Sequence, residues 1–243
     1  MTSFLRNLVA LFLAALPLQL SAQDVTDDRV REIVRETILA NPEILLDAFA
    51  ILEQRALEEE ELARANVLDQ QRLLLEQDPN APVIANPEGS VTIVEFFDYN
   101  CPYCRRVKPE VEGLLAADDD IRVVYREWPI LGEGSVFAAQ AALAAREQNL
   151  YEEFHWAMMG MEGRAEEPSV LRIAREIGLD IEQLRIDMQA PEVTEHIETS
   201  MRLAELLGIT GTPAFIIGDN VVPGAVDQAT LAGFVEEARE INE

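Results

Sequence analysis

The chain has 243 residues, and 45 acidic residues against 19 lysines and arginines give it a formal net charge of −26 at pH 7. A charge of this size and sign repels the phosphates of nucleic acids and anionic membrane surfaces, so we expect no nucleic-acid partner. The sequence holds two cysteines, both within one four-residue segment, which excludes a framework of structural disulfides.

The first 22 residues have the pattern of a secretory signal peptide. Arg6 supplies a short positive region, and residues 8–16 form an apolar core that is shorter than the ~20 residues needed to span a bilayer. The small residues at 21–22 suit cleavage, although Leu20 is less typical at its position, and an uncleaved membrane anchor is the alternative. We therefore expect export to the periplasm or a similar compartment, where disulfides form and persist.

Residues 23–78 are predicted to form an N-terminal helical stalk. A first helix is expected over 27–40, with acidic residues at its start that suit the helix dipole. Asn41 and Pro42 are typical of a cap followed by a proline in the first turn of a new helix. This second helix can continue to about residue 76, because no glycine or proline interrupts it.

The second predicted helix carries a dense apolar stripe near its start, formed by Ile44, Leu45, Phe49 and Leu52. A single amphipathic helix cannot bury such a stripe by itself. We therefore predict a homo-oligomer that associates through residues 24–56. The alternative is that these helices fold back onto the domain that follows.

Residues 78–82, Asp-Pro-Asn-Ala-Pro, break the helix and predict a domain boundary, so that residues 79–243 form a second domain. This domain combines β-rich segments, a helical block at about 135–207 and a final helix. The strands are predicted at 83–85, 91–97 and 121–128, and as a hairpin over 213–222. Without the helical block the order is β-α-β…β-β-α, which is the thioredoxin core of an α/β fold.

The two cysteines lie in the segment Cys101-Pro102-Tyr103-Cys104, after the apolar strand at 91–97 and at the start of a predicted helix. A spacing of two residues is typical of a dithiol that forms a redox-active disulfide, since the loop it closes is too small to connect distant parts of a fold. At a helix N-terminus, unpaired backbone N–H groups and the helix dipole favour the thiolate of Cys101. Cys104, one turn later, can resolve a mixed disulfide.

Three basic residues follow the cysteines in this strongly acidic chain, namely Arg105, Arg106 and Lys108. A positive potential at this place would lower the pKa of a nearby thiol. The alternative is a solvated helix face, and the sequence favours neither.

Neither the histidines nor the methionines predict a metal site. His155 and His196 lie far from the cysteine pair in sequence, whereas a zinc site needs about four suitable ligands. Met158, Met159 and Met161 offer soft ligands for copper, but they fit helix packing or an adaptable peptide-contacting surface better. We therefore expect no metal, and no cofactor other than the cysteine pair itself.

The sequence FFDYNCPYC at 96–104, with Pro109 five residues later, resembles the DsbA family of thioredoxin-fold disulfide oxidoreductases. The sequence GITGTPAF at 208–215 resembles the cis-proline loop of that family, and a helical insertion within the thioredoxin core is likewise typical of it. The resemblance covers about Val83 to the C-terminus. It implies a DsbA-like thioredoxin domain with a helical insertion, here preceded by an all-helical stalk.

The resemblance also implies roles for the residues of the motif. Cys101 would be the nucleophile and Cys104 the resolving thiol. Pro102 and Tyr103 would tune the redox potential of the pair.

Two further positions gain a role from the resemblance. Thr212 would precede a cis Pro213 packed against the sulfurs, leaving backbone free to pair with an extended substrate, although a trans proline is the default for X-Pro bonds. Glu95 matches a buried acid of the family that handles the proton of the second cysteine. A buried carboxylate near a thiol has a raised pKa and could accept that proton, and the alternative is a glutamate at the sheet rim.

The N-terminal helices resemble those of the ScsC-like (suppressor of copper sensitivity) branch, in which such helices can mediate oligomerisation. Asn41-Pro42-Glu43 and the apolar stripe after it carry this resemblance. It implies several catalytic domains that face one another, which suits an isomerase acting on extended or misfolded proteins with cysteines. An isomerase needs Cys101 kept reduced, which implies a membrane redox partner.

Three hypotheses about function follow. The first is an exported protein-disulfide isomerase or reductase that is oligomeric through residues 24–56. The second is a monomeric dithiol oxidase, towards which Pro102 leans slightly, with a helical extension packed on its own domain. The third is a holdase-type protein that grips clients and whose redox activity is secondary.

Overall fold

The computed structural model describes residues 26–242, so the expected signal peptide at 1–22 lies outside the described residues. The chain divides into two compact units, Met1–Ala56 and Leu57–Glu243. Over residues 26–242, no helix has both the length and the hydropathy that crossing a bilayer requires.

The first unit holds helix α1 (Asp27–Ala40) and the beginning of helix α2 (Glu43–Gln77), where two helices are predicted. The side chain of Thr26 caps α1 by accepting a hydrogen bond from the backbone N–H of Arg29 at 3.4 Å. No residue of α1 is buried. Large apolar side chains stand exposed along both helices in this unit: Val30, Ile33, Val34, Leu39, Ile44, Leu45, Leu46, Phe49, Ile51 and Leu52.

The second unit contains a five-stranded sheet in the order β1-β3-β2-β4-β5. The strands are β1 (Val83–Ala85), β2 (Val91–Phe97), β3 (Ile121–Glu127), β4 (Ala214–Ile217) and β5 (Asn220–Pro223). Strands β2 and β3 are parallel, and the other three pairs are antiparallel. The central strand β2 therefore ends, at its C-terminal edge, next to the segment that carries both cysteines.

Seven α-helices follow β2 in the described part of the second unit. They are α3 (Pro102–Ala117), α4 (Glu133–Ala145), α5 (Tyr151–Met159), α6 (Glu167–Glu176), α7 (Ile181–Asp187), α8 (Pro191–Leu206) and α9 (Gln228–Asn242). Helices α4 to α8 form the helical insertion, at 133–206 against the predicted 135–207. Six buried alanines in α4 allow its neighbours to approach closely on all sides.

The alternation of side chains along β2 assigns each residue to one of two cores. Ile93 and Phe97 face the core that contains both cysteines, α3, α9 and the insertion. Val94 and Phe96 face a second core on the other side of the sheet. Because strand side chains alternate, Glu95 lies on the cysteine-containing face.

Helix α2 supplies part of the second core. Leu68 and Leu75 are buried there against Trp128 of the β3–α4 connection and Leu203 of α8. The second compact unit begins at Leu57, about twenty residues before the domain boundary predicted at residues 78–79. Two buried leucines seven residues apart make the second part of α2 a layer of the domain, not part of a free stalk.

Two arginines of β3 hold the C-terminal end of α2. Arg126 is fully buried, pairs with Asp78 at 2.7 Å and donates to the carbonyls of Leu74 and Leu75. Arg122 donates to the carbonyl of Glu76 at 2.6 Å. The last carbonyls of a helix lack partners within it, and cations interact favourably with that end of the dipole.

We expect Leu75→Ala to destabilise the second unit by about 2–5 kcal/mol, because a fully packed leucine is replaced by a cavity. Leu73 lies on the same helix with 72% of its surface exposed, against 1% for Leu75. Leu73→Ala is therefore the matched control and should change the free energy of unfolding by no more than about 0.5 kcal/mol. Urea unfolding followed by tryptophan fluorescence measures both, and equal effects would contradict the docking of α2.

Candidate active site

Cys101 lies at the N-cap of α3, where the chain turns from the end of β2 into the helix. The next residue, Pro102, suits the first turn of a helix because it has no N–H to leave unpaired. Cys101 is 4% exposed, and its Sγ lies 3.2 Å from the carbonyl oxygen of Thr212. Both cysteines are free thiols.

Hydrogen bonds lower the pKa of the Cys101 thiol to about 5. The largest contribution is the hydrogen bond from the Cys104 thiol, which outweighs the opposing effect of burial. The Thr212 side chain and the backbone N–H groups of Tyr103 and Cys104 lower it further. Because these groups stabilise the charged form, Cys101 is a thiolate at neutral pH.

Cys104 has the opposite character. It is 1% exposed, and burial, its hydrogen bond to Cys101 and the charge of Glu95 together hold its pKa far above the ordinary value for a thiol. Cys104 is therefore protonated while Cys101 is ionised.

Glu95 lies in β2 opposite Tyr125 of β3 and Phe215 of β4, and it is 3% exposed. Burial raises the pKa of its carboxyl group to about 8, and the negative charge of Cys101 contributes to this rise. Glu95 is thus under the cysteine pair rather than at the rim of the sheet, and it is mostly protonated at neutral pH.

The Thr212–Pro213 peptide bond is cis, the geometry that the resemblance implies. Pro213 is buried immediately before β4, and its carbonyl accepts a hydrogen bond from the N–H of Gly224 at 2.8 Å. The loop therefore presents Thr212 to the reactive sulfur. Pro102 and Tyr103, between the cysteines, are both exposed.

Asp98 holds the loop before the cysteines, a role that the sequence analysis did not assign. It is buried, and its carboxylate accepts hydrogen bonds from the backbone N–H groups of Asn100 at 2.7 Å, Ile130 at 2.8 Å and Leu131 at 2.9 Å. Its backbone carbonyl accepts from the N–H of Cys101 at 2.9 Å. In the sequence, the position of an aspartate directly after an apolar strand is the signal that could have indicated this role.

Asn100 joins the same loop to the helical insertion. Its amide oxygen accepts from the N–H of Ala165 at 2.8 Å, and its amide nitrogen donates to the carbonyl of Ala165 at 3.0 Å and to Ser135 at 3.1 Å. A Cβ on Gly134 would come within 2.1 Å of that same carbonyl. A glycine is therefore required where α4 meets Ala165.

The basic cluster does not act as one group. Arg105 donates to the carbonyls of Tyr99 at 2.9 Å and Gly163 at 2.5 Å, so it joins the loop before the cysteines to the insertion. Arg106 lies 4.9 Å over the ring of Tyr103. Lys108 pairs with Glu112 at 2.6 Å.

A buried polar network supports Tyr99. The carboxyl group of Glu127 accepts hydrogen bonds from the hydroxyls of Tyr99 and Tyr151, both at 3.0 Å. Burial raises the pKa of Glu127 well above its usual range. The Tyr99 hydroxyl also lies 3.3 Å from Nδ1 of His155, so Glu127 and His155 hold the residue two positions before Cys101 and Tyr151 supports Glu127.

The histidines and methionines are packing residues. His155 stacks on Tyr125 at 4.1 Å, and His196 accepts a hydrogen bond from the N–H of Glu127 at 3.1 Å. Burial lowers the pKa of both histidines to about 3, so both are neutral. Met158 and Met159 lie in the main core. In the described part of the chain, no group of three or more His, Cys, Asp or Glu side chains could hold a metal.

A thioredoxin fold that places an ionised and a protonated cysteine at the start of one helix, beside a cis-proline, defines a dithiol–disulfide exchange protein. The chain belongs to the DSBA-like thioredoxin domain family, whose model matches residues 92–236. Residues 28–59 match the N-terminal domain of the copper resistance protein ScsC. The predicted fold and family are confirmed.

Solved structures extend these matches. A thioredoxin-like oxidoreductase from Silicibacter pomeroyi DSS-3 is 65% identical, with a TM-score of 0.69, over 70% of this chain and 98% of that one. A linker-deletion variant of Proteus mirabilis ScsC is 28% identical, with a TM-score of 0.68, over 94% of this chain and 99% of that one. A periplasmic thioredoxin-like protein from Salmonella enterica serovar Typhimurium is 33% identical, with a TM-score of 0.64, over 69% of this chain and 94% of that one.

Curated relatives include Na⁺/H⁺ antiporters. NhaA 3 of Salinispora tropica is 29% identical over 169 residues, which are 68% of this chain and 26% of the antiporter. The chain thus spans about a quarter of the length of the curated relatives it matches. The similarity to oxidoreductases, by contrast, extends over nearly the whole of the solved chains and supports thiol–disulfide oxidoreductase activity.

We expect the rate of Cys101 alkylation by iodoacetamide to rise with pH through a midpoint of about 5, because only the thiolate reacts. Cys104→Ala should move this midpoint upwards, since the Cys104 thiol is the main hydrogen-bond donor to the thiolate. Mass spectrometry of the reduced protein between pH 3 and 9 measures the profile.

Cys101→Ala is the control for this titration. It should leave Cys104 unreactive over the whole pH range, because burial keeps that thiol protonated. A midpoint near 9 in the unsubstituted protein, the ordinary value for a cysteine, would contradict the described site.

Proposed function

We propose that the protein is an exported thiol–disulfide oxidoreductase that acts on protein disulfides, as an oligomeric isomerase or reductase. The observation that carries the oxidoreductase part of this proposal is the opposite ionisation of Cys101 and Cys104 beside Thr212. A thiolate is the species that attacks disulfides, and a second thiol within reach releases the mixed disulfide. Extended or misfolded proteins with cysteines are the proposed substrates.

The reaction begins when the Cys101 thiolate attacks one sulfur of a client disulfide. A bond forms between Cys101 and the client, and the other client sulfur leaves as a thiolate. In isomerisation, a second client thiolate attacks this mixed disulfide, forms a new client disulfide and regenerates Cys101. In reduction, Cys104 loses its proton and attacks Cys101, which forms the Cys101–Cys104 disulfide and releases the client thiolate.

Glu95 is the proposed acceptor of the Cys104 proton. Its pKa is raised partly by the charge of Cys101, and that charge disappears when Cys101 becomes part of a mixed disulfide. The pKa of the carboxyl group therefore falls when the mixed disulfide forms. Glu95 is then more often ionised, and so able to accept a proton, at the step that needs a base. The charge of Glu95 in turn raises the pKa of Cys104, so the two groups compete for one proton.

We expect Glu95→Gln to slow the attack of Cys104 on a Cys101–glutathione mixed disulfide by about 100-fold at pH 7, as loss of a general base does. The alkylation rate of Cys101 should remain within a few fold of the original rate. Quenched-flow mass spectrometry of the mixed disulfide measures the first rate, and exposed Glu88→Gln is the matched control. Unchanged resolution in Glu95→Gln would remove Glu95 from the mechanism.

The proposed assembly is a homo-oligomer through residues 24–56. Support comes from the apolar side chains exposed in the first unit, such as Leu45, Phe49 and Leu52, and from the ScsC N-terminal match at 28–59. Exposed apolar surface of this extent indicates an interaction site. An assembly would place several Cys101 thiolates around one client, which suits repeated exchange.

Export and a reducing partner complete the proposal. The signal-peptide pattern at 1–22 supports export, as does the similarity to a periplasmic protein. In an oxidising compartment an isomerase needs its dithiol returned to the reduced state, so a membrane redox partner is proposed. The cysteine pair is the proposed redox centre, without a further cofactor.

The oligomer is tested by Leu45→Lys combined with Phe49→Lys. We expect this variant to lose mass in light scattering and to lose activity on a scrambled disulfide substrate, because two charges would enter the apolar contact. Leu62→Lys with Leu73→Lys is the matched control on the same helix, at exposed leucines outside 24–56. Reduction of a small disulfide peptide should be unaffected in both variants.

Two results would change the proposal. If the unsubstituted protein is a monomer that oxidises reduced clients, the oxidase hypothesis replaces it; the low pKa of Cys101 favours that direction, because it stabilises the reduced form. If Cys101→Ser still suppresses client aggregation as well as the unsubstituted protein does, the holdase hypothesis gains support.

A further inference from the structure

A groove of ≈ 370 Å³ lies next to the cis-proline loop, within the second unit. One wall runs from Leu207 to Ala214, and another is the end of β5 with Gly224. Thr212 belongs to this lining, and its carbonyl oxygen lies 3.2 Å from the Cys101 sulfur. The groove and the reactive sulfur are therefore neighbours across Thr212.

Helix α2 supplies one side chain to the groove, Arg64. Every other residue that lines it is uncharged. Arg64 comes one helical turn before Leu68, which is buried in the second core, so the docking of α2 places the backbone of Arg64 beside the groove. In a chain with 45 acidic and 19 basic residues, a groove whose single charge is positive is a specific feature.

The guanidinium group of Arg64 is available to a ligand. Its ion pair with Glu60 measures 2.9 Å, but the side chains are 36% and 65% exposed. Exposed pairs of this kind, four residues apart on a helix, contribute little to stability. A carboxylate that binds in the partly desolvated groove can compete with Glu60, and arginine binds carboxylates through two parallel hydrogen bonds.

The remaining lining suits an extended peptide. An added Cβ at Gly208, Gly211 or Gly224 would meet nothing within 4 Å, so there is space beside the chain at these positions. Strand β5 is at the edge of the sheet, next to this loop. Open backbone at a sheet edge pairs with extended segments, while side-chain pockets along it give specificity.

We propose that the groove binds the part of a client that flanks its disulfide cysteine, and that Arg64 selects segments with an Asp or Glu carboxylate there. This inference rests on the proposed function, since the client cysteine must reach Cys101. It makes α2 part of the substrate-binding surface. Arg64 is a specificity-determining residue, and it does not contact the reacting sulfurs.

Two peptides that differ in one residue test the inference. Each carries one cysteine in a mixed disulfide with glutathione, and Glu or Gln lies three residues from that cysteine. With excess reduced glutathione to return the Cys101–Cys104 disulfide to the dithiol, the full chain should reduce the Glu peptide with a kcat/KM about two- to fivefold higher, the range of a partly exposed ion pair. The difference between the Glu and Gln peptides should lie in KM, and it should become smaller at 1 M salt.

Variants of Arg64 test whether the preference for the Glu peptide arises in the groove. Arg64→Gln should abolish the preference and Arg64→Glu should reverse it, while the pH profile of Cys101 alkylation stays unchanged. Arg172→Gln is the matched control, because Arg172 forms the same kind of exposed pair, with Glu176 at 2.8 Å, on α6. It should keep the full preference for the Glu peptide.

A binding measurement separates this inference from the proposed function. Fluorescence anisotropy of the same peptides with serine in place of cysteine reports affinity without exchange chemistry. If neither disulfide peptide is reduced, the proposed function fails, and the anisotropy still decides the role of Arg64. If both are reduced and bound equally, only the role of Arg64 is overturned.

One other occupant of the groove is possible, the acidic run Glu58–Glu61 of a second copy of the chain. A peptide with the sequence of residues 57–62 would then displace a fluorescent copy of itself from the protein. If it binds through Arg64 while client peptides show no charge preference, the groove is a self-association site, and the proposal is overturned.

Discussion

A negative charge on one sulfur governs the rest of this site. Cys101 remains ionised because Cys104 and two backbone N–H groups at the start of α3 donate towards it. These donors are effective only if the turn before the helix is held in place. Asp98 and Asn100 hold it with side-chain hydrogen bonds to the β3–α4 connection and to Ala165. The insertion therefore helps to hold the turn that stabilises the thiolate.

Burial, together with the same charge, explains why a carboxyl group is tolerated below the sulfur. An ionised Glu95 without partners would be costly in so apolar a strand. Burial and the nearby thiolate keep the carboxyl group protonated in the resting reduced state, which avoids most of that cost. At neutral pH, Cys101 therefore carries the negative charge of the pair and Glu95 is mostly neutral.

Local sequence predicted the parts of the structure that depend on local physics. The C-x-x-C spacing located the dithiol, and the apolar strand before it put Glu95 at a buried position. The places of Asp98 and Arg64 depend on contacts with residues far away in sequence, so no local pattern assigns their partners. The domain boundary in the structure differs from the predicted one for a related reason. Leu68 and Leu75, seven residues apart, were a helical signal, but the sequence does not reveal the sheet face that buries them.

The low pKa of Cys101 has different effects on the two directions of exchange. Relative to an ordinary thiol with a pKa of 9.0, a pKa of about 5 raises the thiolate fraction at pH 7 by about 100-fold. The nucleophilicity of each thiolate falls by roughly 40- to 100-fold over the same change, so the rate of attack hardly changes. A stable thiolate is also a good leaving group. Mixed disulfides at Cys101 are therefore formed at an ordinary rate but broken quickly, so a thiol joined to Cys101 is soon released.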